Sequence, residues 1–173
     1  MKKTRKIAIA AIFSALSVVT LLLGSIITVL DMTAVALASI LIMIAVIEIG
    51  GGYPYLLWLV SGLLSLLLLP DKFGALLYLT FGGIYPIFKA MFERLHYIVS
   101  WLLKFSAFNV MLIVMIIIAN FVLGLPDTGL GFTLPVFGIC NFTFFVYDLA
   151  TTQLITLYLI KFRKMLGLKN FFK

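Results

Sequence analysis

The segment from Thr143 to Ile160 is apolar enough to lie in lipid, yet an aspartate, Asp148, stands near its middle. An ionised carboxylate at the centre of a bilayer costs about 2.5–3.5 kcal/mol on insertion scales, and such groups usually belong to a functional site. The sequence shows no obvious lysine or arginine at the same depth. Either Asp148 is protonated, or it meets a cationic or hydrogen-bonding group on a ligand. We therefore take it as the leading candidate for a binding residue.

Polar and tyrosine side chains recur at helical spacing in three neighbouring segments. Each set falls on one face of its helix: Asn141, Asp148, Thr152 and Thr156; Asn109 and Asn120; Tyr78, Gly82, Tyr85 and Lys89. The simplest packing turns these faces toward each other, which predicts a polar-lined cavity open to the outside, with the aspartate near its floor. The alternative is that asparagine and threonine simply join neighbouring helices by hydrogen bonds, each worth about 0.6 kcal/mol on average in membrane proteins.

The composition indicates a membrane protein. Of the 173 residues, 64% are hydrophobic and only 11% are charged, and the mean hydropathy is +1.26. A soluble domain of this size has too large a surface for its volume to hide so much apolar material. The net charge of +7 is concentrated at the two ends and in one connection, so we expect it to face the anionic cytoplasmic leaflet rather than nucleic acid.

Six apolar runs have about the length of a helix that crosses a bilayer, roughly 20 residues. Turns rich in glycine, proline and aspartate separate them, and they cover residues 7–29, 33–49, 53–69, 73–91, 106–124 and 135–160. The sequence thus predicts an all-α integral membrane protein, a bundle of six transmembrane helices in a single domain over 1–173. We expect the first helix to be an uncleaved span rather than a signal peptide, because no small-x-small cleavage site follows it directly.

Positive charges predict the orientation of the bundle. All basic residues except Lys72 fall at the termini or in the connection between the fourth and fifth spans: Lys2, Lys3, Arg5, Lys6, Lys89, Arg94, Lys104, Lys161, Arg163, Lys164, Lys169 and Lys173. Six spans with both termini in the cytoplasm satisfy this asymmetry, and odd numbers of spans do not. We expect a multi-pass protein of a bacterial plasma membrane, in which Asp31, Asp71 and Asp127 lie in solvated turns on the outer side.

Motifs for catalysis, cofactors or metals are scarce. The sequence contains no HExxH, no P-loop and no clustered aspartate motif of the alcohol-phosphotransferase kind. A single cysteine, Cys140, excludes an internal disulfide and a cysteine-pair metal site. We predict a protein without a cofactor or metal that is not itself an enzyme. Uphill transport by this chain would draw on an ion gradient or on another subunit.

The first helix carries small residues at helical spacing. In IAIAAIFSAL, Ala8, Ala11 and Ala15 share one face, and Ala10 with Ser14 forms a neighbouring one. Such spacing lets a second helix approach closely, either inside the bundle or from a partner protein. The face lies close to the predicted cytoplasmic end, where a partner protein can reach it.

Over nearly its whole length the chain resembles the substrate-binding S components of energy-coupling factor (ECF) transporters, which import vitamins and other micronutrients. The likeness lies in the small size, the six predicted spans with cytoplasmic termini, the basic start KKTRKIAIAAIFSALSVV and the alanine face of the first helix. It implies that Ala11 and Ala15 match the AxxxA element that docks on a transmembrane coupling subunit driven by two cytoplasmic ATPases. It also implies a ligand in the outer half among helices four to six and the outer loops, with the first outer loop, including Asp31, as a lid.

We therefore expect a binding subunit that captures a vitamin-like or other small molecule from outside. The candidate binding residues are Asp148, Asn141, Asn120, Tyr147, Tyr85, Tyr78 and Asp31, and the candidate docking residues are Ala8, Ala11 and Ala15. The carboxylate and the aromatic residues favour a small ring compound that donates hydrogen bonds or carries a positive charge. Two other classes stay open: a structural protein of the cell envelope that resembles the small multi-span rod-shape subunit, and a membrane enzyme that uses Asp148 as its acid–base group.

Overall fold

The computed structural model describes residues 3–27, 30–118 and 134–162, and this part of the chain is all helical, without a strand. Its α-helices are α1 (Lys3–Ile26), α2 (Asp31–Glu48), α3 (Tyr53–Leu68), α4 (Lys72–Leu77), α5 (Tyr85–Phe92), α6 (Tyr97–Ile117) and α7 (Leu134–Leu157). Two π-helical segments, Tyr78–Gly82 and Tyr158–Phe162, follow α4 and α7 directly.

Five stretches of the described chain are long and apolar enough to cross a membrane. They are Lys3–Ile26, Asp31–Glu48, Lys72–Phe92 (α4 to α5), Tyr97–Ile117 and Pro135–Lys161. The apolar helix α3 is shorter, with 16 residues. Large apolar side chains such as Ile12, Leu63 and Leu102 point outward and are more than half exposed, which suits a surface that faces lipid. The all-helical membrane character is supported, whereas the six crossings and the cytoplasmic location of both termini stay predictions.

The connections between the first four helices are closed by local contacts. Gly50 and Gly51 adopt φ angles of 60° and 66° between α2 and α3, a conformation that favours glycine. The Asp71 side chain accepts a hydrogen bond from the backbone N–H of Phe73 (3.0 Å) and caps α4. The Lys72 ammonium donates to two backbone carbonyls at the end of α3, at 2.9 and 2.7 Å.

The α1–α2 and α3–α4 connections lie at the same end of the bundle. Asp31, the first residue of α2, packs against Gly74 in α4, where an added Cβ would lie 3.5 Å from Asp31 Oδ1. We call this the outer end, after the predicted orientation, and the opposite end the inner end.

The first three helices pack closely because small residues line their contacts. A Cβ added to Gly24 in α1 would overlap the Cβ of Ala34 in α2. Ala38 and Ala45 are fully buried, and Ser14 donates to the carbonyl of Leu57 in α3 (3.4 Å). Close approach of this kind replaces the hydrophobic effect as the driving force for helix association in lipid.

The π-helical segment Tyr78–Gly82 separates two tyrosines that an unbroken α-helix would place on one face. Tyr78 packs among residues of α1–α3 and shares a hydrogen bond of 2.7 Å with Ser61. Tyr85 packs instead among aromatic residues of α6 and α7. The prediction that Tyr78 and Tyr85 share a face is wrong, because a π-turn has a wider repeat than an α-turn and changes the phase of the residues after it.

Candidate functional site

Asp148 belongs to a buried cluster of two carboxylates and two ammonium groups from three helices. We call Lys89, Glu93, Lys104 and Asp148 the ionic cluster. The Lys89 ammonium pairs with Asp148 Oδ1 and, at 2.9 Å, with Glu93 Oε1. The Lys104 ammonium lies 3.1 Å from Glu93 Oε1 and 3.1 Å from Asp148 Oδ2. The four side chains therefore carry no net charge and connect α5, α6 and α7.

The burial of this cluster is nearly complete. Lys89 and Asp148 are each 1% exposed and Lys104 is 4% exposed, whereas the Glu93 side chain reaches the surface. The expectation that Asp148 has no basic partner at its depth is wrong. The sequence placed Lys104 in an interfacial connection, but α6 begins at Tyr97, which carries this lysine into the bundle beside α7. The flexible four-carbon stem of Lys89 brings its ammonium to the same point.

Two further hydroxyl groups complete the coordination of the cluster. The Tyr85 hydroxyl donates to Asp148 Oδ1, and the Lys89 ammonium donates to Thr152 Oγ1 at 2.8 Å and to the backbone carbonyl of Asp148 at 3.2 Å. Both carboxylate oxygens thus accept hydrogen bonds from the protein. A buried charge is tolerated when it is paired and hydrogen-bonded in this way.

An aromatic layer covers the ionic cluster on its outer side. Phe108 and Phe144 stack with ring centroids 4.4 Å apart, and Tyr85 meets Phe144 edge-on at 5.2 Å. Phe81 contacts the rings of Tyr85 and Tyr147 at 5.2 and 5.4 Å. Offset and edge-to-face contacts of this kind are the favoured geometries of aromatic pairs.

A cavity of about 320 Å³ lies on the outer side of the aromatic layer. Its wall is formed by the first turns of α2, by the α4 span, by the outer half of α6 and by the outer half of α7. The lining residues are Met32, Val35, Ala36, Phe73, Leu77, Phe81, Gly82, Phe108, Met111, Leu112, Met115, Ile139, Cys140, Thr143, Phe144 and Tyr147. The expectation of a polar-lined cavity is wrong, because its wall consists mainly of aliphatic, aromatic and sulfur-containing side chains. The volume falls within the range of small-molecule sites, about 300–1,000 Å³.

A second, more polar cavity of about 330 Å³ adjoins the ionic cluster from the inner end. Its lining residues are Glu93, Leu95, Tyr97, Ser100, Trp101, Lys104 and Thr152. The aromatic layer and the ionic cluster therefore stand between an apolar space on one side and a polar space on the other.

Of the predicted binding residues, Tyr147 lines the outer cavity, whereas Asp148 and Tyr85 lie beneath it. The Tyr147 hydroxyl shares a hydrogen bond of 2.7 Å with Ser39 in α2. Tyr78 lies apart, against α1–α3. Asp31 packs beside Gly74 rather than in the cavity wall, and its neighbour Met32 is the lining residue. Asn120 lies outside the described residues.

Asn141 pairs with Asn109 on α6 through both amide groups. The two side chains exchange hydrogen bonds of 2.9 and 3.0 Å, and each amide also donates to a backbone carbonyl four residues earlier in its own helix. This geometry favours the reading of the two asparagines as a link between helices.

We expect the Asn109–Asn141 link to contribute modestly to stability. Replacing Asn109 by leucine should cost about 0.6 kcal/mol and no more than about 1.7, the range found for hydrogen bonds between membrane helices. A double-mutant cycle with Asn141→Leu, read from unfolding in mixed detergent micelles, measures this coupling. A coupling of zero would show that the amides do not pair.

Several residues around the outer cavity were not candidates from the sequence. Phe81, Phe144 and Met115 read there as ordinary core residues, and Glu93 read as part of a charged connection. Lys89 carried a usable signal, because it follows Tyr85 by one helical turn on the predicted face. Among the described residues, no group of three or more His, Cys, Asp or Glu side chains could hold a metal ion.

Comparison of the chain with protein-family models, with curated proteins and with solved structures finds no match.

Proposed function

We propose that this protein is the substrate-binding subunit of an ECF-type importer, which holds a small molecule in the outer cavity and passes it inward after docking on a coupling subunit. The observation that carries the proposal is the cavity of about 320 Å³ at the predicted outer side of an otherwise close-packed bundle. A protein whose only task was to space its neighbours would gain nothing from such a void, since lost packing contacts destabilise a fold.

The surface of α1 supports the docking part of this proposal. Ala8, Ala11 and Ala15 are exposed, whereas Ala10 and Ser14 on the neighbouring face are buried against the rest of the bundle. The helix thus uses one small-residue face for its own packing and leaves the other accessible. An exposed strip of alanines lets the backbone of a second membrane helix approach closely.

A structural role in the cell envelope is the second candidate. It is favoured by the polar groups that the bundle satisfies internally, above all the ionic cluster and the asparagine pair. The same pairing weighs against a membrane enzyme based on Asp148. A carboxylate that already accepts bonds from Tyr85, Lys89 and Lys104 is poorly placed to exchange protons with a substrate.

The test is affinity purification of the full chain from its own membranes in mild detergent, with mass spectrometry of proteins and small molecules. We expect a coupling subunit and two ATPases to be recovered. Replacing Ala11 and Ala15 together by tryptophan should lower their recovery about tenfold or more, because overpacking a helix contact costs about 1–3 kcal/mol.

The matched control is Leu23→Trp, which adds the same ring to an exposed position nearer the outer end of α1. It should leave the recovery unchanged. Recovery of cell-envelope proteins without any ATPase, or equal losses in both variants, would contradict the proposed docking and favour the structural role.

A further inference from the structure

The polar groups in the wall of the outer cavity are already satisfied by the protein. The Thr143 hydroxyl donates to the carbonyl of Ile139 (2.9 Å), and the Tyr147 hydroxyl is bonded to Ser39. The Cys140 thiol is only a weak donor. A ligand rich in hydrogen-bonding groups would lose its bonds to water on entry and find few replacements, which is unfavourable.

Charge is also absent from this wall. The nearest ionised groups of the described chain are those of the ionic cluster, which lies beneath the aromatic layer and balances its own charges. None of its four members lines the outer cavity. A charged ligand would therefore leave water without gaining a counter-charge, so the wall selects against it.

The cavity opens sideways between α2 and α7. Met32 on α2 and Ile139 on α7 line it, yet each is 67% exposed, so these side chains also form part of the outer surface. Thr143, one turn further along α7, is likewise both lining and exposed. Another turn deeper, the hydrogen bond between Tyr147 and Ser39 joins the two helices. The opening thus runs from the outer end down to this contact.

The surroundings of this opening are apolar. Leu37 on α2 and Phe142 on α7 are 56% and 69% exposed, and both helices are long and apolar enough to cross a membrane. In a bilayer the opening would therefore face hydrocarbon rather than water for most of its length.

We propose that the ligand of the outer cavity is a neutral, largely apolar small molecule that enters sideways from the membrane between α2 and α7. Aromatic rings and methionine sulfurs supply the contacts, which suits a planar ring system. This inference rests on the proposed function for the assignment of the cavity as the ligand site. It replaces the expectation of a hydrogen-bond-donating or cationic ligand, which depended on a free Asp148.

Two fluorescent probes with one ring skeleton test the ligand class. N-phenyl-1-naphthylamine is neutral, and 8-anilinonaphthalene-1-sulfonate adds a sulfonate to the same rings. With the full chain in lipid nanodiscs, and empty nanodiscs subtracted, we expect saturable binding of the neutral probe. Binding of the sulfonate should be about tenfold weaker or more, because the site offers no partner for its charge.

Two tryptophan variants on α6 locate the binding. Met111→Trp fills the cavity and should abolish saturable binding of the neutral probe. Val110→Trp adds the same ring to the neighbouring position, which is 58% exposed and outside the cavity wall, and should leave the binding unchanged. A Thr143→Trp variant narrows the opening and should slow association of the neutral probe in stopped flow.

Equal or tighter binding of the sulfonate, or neutral-probe binding that survives Met111→Trp, would overturn the inference. So would association that Thr143→Trp leaves unchanged. These readouts need no coupling subunit, so they are distinct from the failure of the proposed function, which is seen as the absence of ATPases in the purification. A polar metabolite that copurifies together with the ATPases would overturn the inference and leave the proposed function standing.

Discussion

Replacing Asp148 by alanine is expected to destabilise the bundle by about 3–5 kcal/mol, the cost of removing one partner from a buried ion pair. The substitution leaves the Lys89 and Lys104 ammonium groups buried, with only Glu93 near the surface to balance them. It also leaves the Tyr85 hydroxyl without its acceptor. The measurement is the midpoint of thermal unfolding in detergent, followed by size-exclusion chromatography with fluorescence detection.

A triple variant separates loss of pairing from loss of the aspartate itself. Asp148→Leu combined with Lys89→Met and Lys104→Met removes all three charges together and keeps similar volumes. Because buried ionic groups can be exchanged for well-packed apolar ones at little or no cost, the triple variant should be markedly more stable than Asp148→Ala. If the single variant were as stable as the natural protein, Asp148 would not be held by the two lysines.

This expectation changes how a binding experiment on Asp148 should be read. A weaker ligand affinity in Asp148→Ala would follow equally from a lost contact and from a loosened contact between α5, α6 and α7. The triple variant keeps these helices together without the carboxylate. It is therefore the variant in which a direct role of Asp148 in binding can be measured.

Replacing Gly24 by alanine is expected to cost about 1–3 kcal/mol, the usual effect of overpacking a filled contact. The new Cβ would overlap that of Ala34, and both atoms are fixed to helical backbones that can yield only by moving apart. The expected result is a lower midpoint of thermal unfolding and a smaller folded yield from membranes.

The matched control is Gly138→Ala in α7, where an added Cβ meets nothing within 4 Å. Because alanine is the better helix former by about 1 kcal/mol, this variant should be neutral or slightly more stable. If both variants behaved alike, the α1–α2 contact would be looser than described, and the first three helices would not form a close-packed unit.

What the sequence could predict depended on local patterns. Hydropathy and length indicate apolar helices, and glycine, proline and aspartate mark the turns between them, because these signals act within a few residues. The spacing of Ala8, Ala11 and Ala15 likewise defines a face of α1 without reference to any other helix. These features needed no knowledge of the packing.

The candidate site depended on contacts between distant segments. The partners of Asp148 stand 59 and 44 residues away in Lys89 and Lys104, and no local pattern shows that their side chains converge. The π-helical segment Tyr78–Gly82 changed the phase of the α4–α5 span and moved Tyr78 to another part of the bundle. A one-residue shift of this kind is too small to alter the apolar pattern from which the span was predicted.

The character of the outer cavity was likewise decided only by the tertiary structure. The sequence determined that three segments carry polar residues at helical spacing, because that periodicity is fixed along each chain segment. Whether those residues meet a ligand or each other depends on how the helices are rotated and placed. Here Asn109 meets Asn141 and Asp148 meets two lysines, so the polar groups satisfy one another and the remaining space is lined by apolar side chains.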